Sequence, residues 1–256
     1  MDYKRYSESI KRMIMPQSFP LGVKIIKKDE PFPDGVVRPS KFGIKVALCQ
    51  WITLARRWGW VVGTMAEDIN CAPCLAAFGF RKLKSKADFV QFIMDMGYFH
   101  SRDLASAMAE QSELLKPGEI KGIVIFPLDK APLSPDLVVI YGTPAQMTRL
   151  AVGFIYNHGR LISSETGFGL SCLSTFMPFW KHEPALVHPG RGERMLAGTA
   201  DNEMSFAAPA SYLEALVDGL EQTQKKGLRY PMQGYLLYQP PLIPPMKALE
   251  EKLMDL

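Results

Sequence analysis

The sequence predicts a mixed α/β protein of the α+β kind, a single compact domain over residues 1–256 with a central mixed sheet flanked by helices. Two short runs, Gly122-Ile123-Val124-Ile125-Phe126-Pro127 and Leu137-Val138-Val139-Ile140-Tyr141, are almost wholly apolar, the pattern of strands covered on both faces. Segments of helical period stand on either side of them, Lys45 to Trp58 before and Pro144 to about Asn157 and Ser211 to Lys226 after. With 256 residues, 47% hydrophobic and 22% charged, the chain can bury a sizeable core without covalent staples.

Within an N-terminal part spanning 1–40, Tyr6, Ile10, Met13 and Ile14 recur at helical spacing until Pro16, a strand Gly22 to Ile26 follows, and a proline-rich loop runs from Pro31 to Pro39. The Lys45 to Trp58 helix turns Cys49 inward and ends at Gly59, which supplies a positive φ. Trp60 to Thr64 reads as a strand, Leu75 to Phe80 as one or two helical turns, and Asp88 to Ala109 as a helix interrupted at Gly97. Gly159 to His188 is too rich in glycine, serine and aromatics for its elements to be assigned. Met195 to Gly198 and Met204 to Ala208 read as short strands. Five prolines between Tyr230 and Pro245 predict that 230–256 wraps the body in extended form before a short terminal helix.

Charge and hydropathy exclude several classes. The 30 basic and 26 acidic residues leave a net +4, and basic groups such as Lys24, Lys27, Lys28 and Arg81, Lys82, Lys84, Lys86 are too dispersed for a nucleic-acid face. No apolar run approaches the roughly 20 residues of a membrane span, and the charged N-terminus lacks a signal peptide, so no membrane insertion and a cytoplasmic location are expected. In that compartment Cys49, Cys71, Cys74 and Cys172 are reduced thiols or ligands, not disulfides.

One set of motifs extends over most of the chain. It comprises Pro20-Leu21-Gly22-Val23-Lys24, Cys49 on its helix, Glu67-Asp68-Ile69-Asn70-Cys71 and Phe78-Gly79-Phe80. Further on come Phe126-Pro127-Leu128, Pro135-Asp136-Leu137-Val138-Val139, the glycine-rich approach to Cys172, Gly192-Glu193-Arg194 and Asp201-Asn202-Glu203-Met204. In order and spacing the chain resembles the domain of unknown function 169 family, widespread in anaerobic bacteria and archaea. The resemblance implies a shared fold and brings no established reaction. It puts Cys49, Cys71 and Cys172 where the family tends to have cysteine, and Cys74 where it varies.

Cys71-Ala72-Pro73-Cys74 is the sharpest local feature. As a redox dithiol it would open a helix whose N-terminus lowers the first thiol's pKa, although Gly79 leaves that helix short for a thioredoxin-like unit. As metal ligands, Cys71 and Cys74 joined by Cys49 and Cys172 would supply four soft thiolates, the set suited to an iron–sulfur cluster or zinc. The competing reading is plain burial, since free cysteine packs like a small apolar side chain. His100, His158, His182 and His188 are scattered, and Glu67-Asp68 reads as an acid–base pair or as a turn or cap.

Gly190-Arg191-Gly192-Glu193-Arg194 is expected as a turn before a strand, with Gly190 and Gly192 exposing backbone N–H groups and Arg191 and Arg194 offering guanidinium forks to a small anionic ligand. Two function classes follow. One is a cysteine-centred redox or metal-cofactor protein, with a redox partner. The other is a non-catalytic binding module for a small molecule or anionic cofactor. Homo-oligomerisation is compatible with both, and the sequence does not decide whether the protein is an enzyme.

Overall fold

The computed structural model describes residues 1–112, 114–164, 170–232, 234 and 243–253. Helix α1 (Tyr3–Ile14) starts where the Asp2 carboxylate accepts from Arg5 N–H at 3.0 Å, and it stops at Met15, whose φ is 54°. Strand β1 (Leu21–Lys27) follows. Helix α2 (Leu48–Trp58) opens with the Gln50 side chain accepting from the Ala47 N–H at 2.8 Å and closes on Gly59 at φ 73°, as the sequence predicts. Next come β2 (Val62–Met65) and α3 (Ala72–Ala77). The long helical stretch divides into α4 (Lys86–Asp95) and α5 (Arg102–Gln111) because Gly97 takes φ 73°.

Strands β3 (Ile120–Pro127) and β4 (Leu137–Gly142) are the two apolar runs. Helix α6 (Pro144–His158) begins with a capping box in which Thr143 and Gln146 satisfy each other's backbone N–H groups. The segment unassignable from sequence contains α7 (Ser171–Phe176), α8 (Pro178–Lys181) and β5 (Ala185–Val187), while residues 165–169 lie outside the described ones. The remaining elements are α9 (Arg191–Ala197), β6 (Met204–Pro209), α10 (Leu213–Lys225) and α11 (Pro244–Glu250).

Among the described residues one six-stranded sheet runs in the order β2-β3-β1-β4-β6-β5. Every strand pair is antiparallel, and parallel pairing is confined to two isolated bridges, Val37–Val62 and Val46–Ile69. An antiparallel sheet often leaves one face in water, yet here both faces are covered. Leu21, Val23, Ile123, Ile125, Val139 and Tyr141 pack on one side with residues of α2, α3 and α7. Val138, Ile140 and Phe206 pack on the other with α1, α6 and α10. Two-sided coverage is why the strands read as unbroken apolar runs.

Asp68 proves to be a structural clamp. Its fully buried carboxylate accepts from Ser40 N–H at 3.0 Å, Met65 N–H at 2.8 Å and Arg38 Nε at 3.0 Å, tying the proline-rich loop to the end of β2. Burial alone would raise its pKa, but the bonds from Ser40, Met65 and Arg38 hold it below the ordinary carboxylate value.

Two sequence expectations change, the turn at 190–194 and the strand at 195–198. Residues 190–194 do not form a turn before a strand: Gly190 is an extended N-cap, and Arg191–Ala197 is helical, which replaces the strand expected over Met195 to Gly198. Glu193 and Ala197, its buried residues, are one helical turn apart, a period too short-lived to read without knowing what covers it. The wrap expected over 230–256 falls largely on residues 233, 235–242 and 254–256, which lie outside the described ones, and the described α11 buries no residue.

Candidate functional site

Four elements on one side of the sheet bring the cysteines together. Cys49 and Arg56 stand two turns apart on α2, so both face inward, 8% and 0% exposed. Helix α9 is held against α2 by the Thr53 hydroxyl, which donates to the Ala197 carbonyl at 2.9 Å. Cys71 is the N-cap of α3, and Cys74 lies buried within its first turn. Ser171 and Cys172 open α7 after Leu170, a non-glycine residue at φ 59°.

Between these elements lies a cavity of about 240 Å³. Cys49, Cys71 and Cys172 line it together with Ser171, Glu193, Gly190 and Gly192. Its other walls are apolar and aromatic: Phe89, Phe92, Met96 and Tyr98 from α4 and the turn after it, with Leu170 and Leu196. Cys74 is not part of the lining: it lies buried in α3, close enough to Cys172 to raise the pKa of that thiol. Neither Arg191 nor Arg194 lines the cavity. Arg191 is exposed, and Arg194 turns its guanidinium to the Ala200 carbonyl. Burying Glu193 at the centre of the inward face of α9 throws its arginine neighbours, about 100° or more around the helix, onto the flanks. Among the described residues no histidine lines the cavity.

The polar centre of the site is Glu193, 5% exposed. Tyr141 donates its hydroxyl to Oε1 at 2.6 Å, Ser171 donates to Oε2 at 2.8 Å, and Thr199 reaches Oε1 at 3.4 Å. Burial and the neighbouring Glu193 carboxylate push the Tyr141 pKa well above 10.0, so the phenol stays a donor. Arg56 lies over the Tyr141 ring, 4.2 Å from its centroid, and is engaged with both oxygens of Glu203 at 2.6 and 3.1 Å. Burial alone would raise the Glu203 pKa, whereas the bonds from Arg56 and the Ala200 N–H hold it down.

The surroundings of Cys49, Cys71 and Cys172 favour the protonated thiol. Burial raises the Cys49 pKa, followed by Cys172, Glu193 and Cys71 nearby. Burial likewise raises Cys71, against a lowering backbone bond from Cys74, so the activation expected from the α3 N-terminus is not what this short helix provides. The Cys74 side chain, then burial, raises Cys172 well above 9.0. We therefore expect iodoacetamide to alkylate Cys71 at neutral pH more slowly than free cysteine, the thiolate being the reactive form. Site-resolved mass spectrometry should show the rate still rising past pH 9.0, the ordinary thiol value. Fast alkylation that levels off below pH 8 would contradict the protonated state.

Among the described residues, no group of three or more histidine, cysteine, aspartate or glutamate side chains is placed to hold a metal ion. Cys49, Cys71, Cys74 and Cys172 thus share a neighbourhood without forming a ready ligand set for zinc or an iron–sulfur cluster. Among the described residues no helix is long and apolar enough to cross a membrane.

The sequence reading missed Tyr141, Ser171 and Arg56 as parts of the site, and it chose the arginines beside Glu193 over Glu193 itself. The motif holding Glu193 was the available signal. What the sequence lacked was knowledge of which of its side chains the helix buries.

Fold and site together define an α+β protein with a thiol-lined, aromatic-walled cavity on one face of an antiparallel sheet. The sequence profile of the domain of unknown function 169 family, described as uncharacterised ArCR, matches residues 9–219, and the chain belongs to that family. The match contains every cysteine and the whole cavity lining. No curated protein and no solved structure matches the chain.

Proposed function

We propose that the protein binds a small, largely apolar molecule or cofactor in the cavity between α2, α3, α4, α7 and α9. The observation that carries this reading is the lining itself: aromatic and aliphatic walls around one buried carboxylate and three thiols, the composition of small-molecule sites. About 240 Å³ is room for roughly eight waters at ~30 Å³ each, enough for one aromatic ring with a short substituent. The protonated thiols suit contact with a polarisable ligand better than nucleophilic attack at neutral pH.

The test uses Met96, whose side chain lines the cavity and whose methyl group can be labelled. Titration of the neutral aromatic probe 2-phenylethanol should shift the Met96 methyl resonance saturably, with Met96→Leu assigning the signal. An unmoved resonance at high probe concentration counts against an accessible cavity.

A second reading, an iron–sulfur cluster or zinc held by Cys49, Cys71, Cys74 and Cys172, is favoured by the position of Cys172, whose thiol or that of its neighbours senses each of the other three. It requires the sulfurs to close up and lose their protons, as thiolate ligands must. Protein purified without oxygen and analysed for iron, zinc and visible thiolate-to-metal absorbance separates the readings. Near-stoichiometric metal favours the second, and metal-free protein that binds the probe favours the first.

A further inference from the structure

Resting on the cavity-binding reading, we propose that the ligand is a small organic cation, an ammonium group on an apolar or aromatic body, with its positive head at Glu193 and its body against Phe89, Phe92 and Met96. Glu193 lines the cavity at 5% exposure and accepts two good hydrogen bonds, both from neutral hydroxyls. Among the described residues it has no ion pair with a lysine, arginine or histidine, and no basic side chain belongs to the cavity lining. Arg56 connects to Glu193 only through the Thr199 hydroxyl, by contacts of 3.3 and 3.4 Å, and its guanidinium is committed to both oxygens of Glu203. A carboxylate removed from water without a cation is costly, and a cationic ligand entering the cavity supplies the missing partner.

The hydrogen-bond geometry leaves room for that head. A carboxylate offers about four acceptor directions. Tyr141 and the longer Thr199 contact share Oε1, whereas among the described residues Oε2 takes only Ser171, itself a lining residue. Among those residues, Oε2 thus has acceptor capacity to spare, on a carboxylate that lines the cavity. The walls add a second attraction, since the faces of Phe and Tyr rings attract ammonium groups and methionine and thiol sulfurs are polarisable. An anionic ligand, the class suggested by Arg191 and Arg194, would instead meet Glu193 with both arginines outside the cavity.

Three probes of nearly equal shape test this at neutral pH through the Met96 methyl resonance and calorimetry: 2-phenylethylammonium, 2-phenylethanol and phenylacetate. We expect the ammonium to bind about tenfold tighter than the alcohol, and phenylacetate about tenfold weaker, each step equivalent to ~1.4 kcal/mol. In Glu193→Gln, which keeps an oxygen for Tyr141, the ammonium should lose its tenfold advantage over the alcohol. The wild-type series stands by itself should that variant fold poorly. An ammonium no tighter than the alcohol, or an advantage surviving in a folded Glu193→Gln protein, overturns the cation assignment and leaves the cavity reading intact. If none of the three probes moves Met96, both fall.

Discussion

Replacing Arg56 with alanine should cost up to about 3 kcal/mol of unfolding free energy, because the Glu203 carboxylate loses its bidentate buried partner and keeps only the partly exposed Arg57 at 3.2 Å and the Ala200 N–H at 2.8 Å. Arg56 is fully buried and Glu203 is 8% exposed, and the fork between them is bidentate. Arg56 also reaches Thr199 at 3.3 Å and covers the Tyr141 ring, so it supports the residues that orient Glu193. Urea denaturation of wild type and Arg56→Ala measures the loss. A double variant, Arg56→Met with Glu203→Leu, should recover much of it, since an apolar pair of similar volume carries no stranded charge. A loss below about 1 kcal/mol in the single variant would place the pair among ordinary surface ion pairs.

The same pair sets a pH dependence. The folded-state pKa of Glu203 lies below its ordinary 4.5, so its stabilising contribution is fully present above that value and is lost as pH falls through the folded value. In Arg56→Ala the principal lowering partner is gone. The stability gap between wild type and variant should be widest near neutral pH and narrow as the pH falls, beginning above 4.5 to the extent that burial raises Glu203 in the variant and continuing below 4.5 as the wild-type pair is lost. Asp68, lowered by different partners, titrates alike in both proteins and cancels from the difference. A gap that widens in acid would mean that another group controls it.

Gly219→Ala should destabilise the opposite layer by a net of about 1–2 kcal/mol. Helices α6 and α10 cross so closely that a Cβ at Gly219 would overlap the Gly153 carbonyl oxygen, with the Gly153 carbonyl carbon next at 2.9 Å and Tyr156 Cβ at 3.3 Å. Alanine in mid-helix would otherwise gain about 1 kcal/mol over glycine. The obstruction is backbone, which no rotamer change relieves, so the helices must separate, and overpacking of this kind costs about 1–3 kcal/mol or more. Gly153→Ala should cost less, since its Cβ would meet Leu220 side-chain atoms at 2.7 Å that can turn aside. Gly192→Ala, where a Cβ meets nothing within 4 Å, is the neutral control. Thermal denaturation of the three variants orders them, and a Gly219→Ala protein as stable as wild type would refute the close crossing. Because this contact lies across the sheet from the cavity, Gly219→Ala should lower stability while probe affinity in the folded protein stays unchanged.

Much of this architecture is written locally. The apolar runs of β3 and β4, Gly59 as the end of α2, Gly97 as the break between α4 and α5, and the helical period of α1, α6 and α10 are all properties of a few neighbouring residues. They are legible because propensity, period and positive φ act over short range. The positions of Cys49, Cys71, Cys74 and Cys172 mark where to look, but spacing alone says nothing of thiol state.

Tertiary structure decided the rest. The antiparallel pairing of the sheet depends on chain reversals that an apolar run does not encode. The raised thiol pKa values come from burial and from one another, across elements up to 123 residues apart for Cys49 and Cys172. The helical identity of 191–197 and the choice of Glu193 over Arg191 and Arg194 followed from which face α9 lays on α2 and β4. A sequence motif names the side chains present, but only packing selects which one loses its water and faces the cavity, and electrostatics in that site are set by the group so chosen.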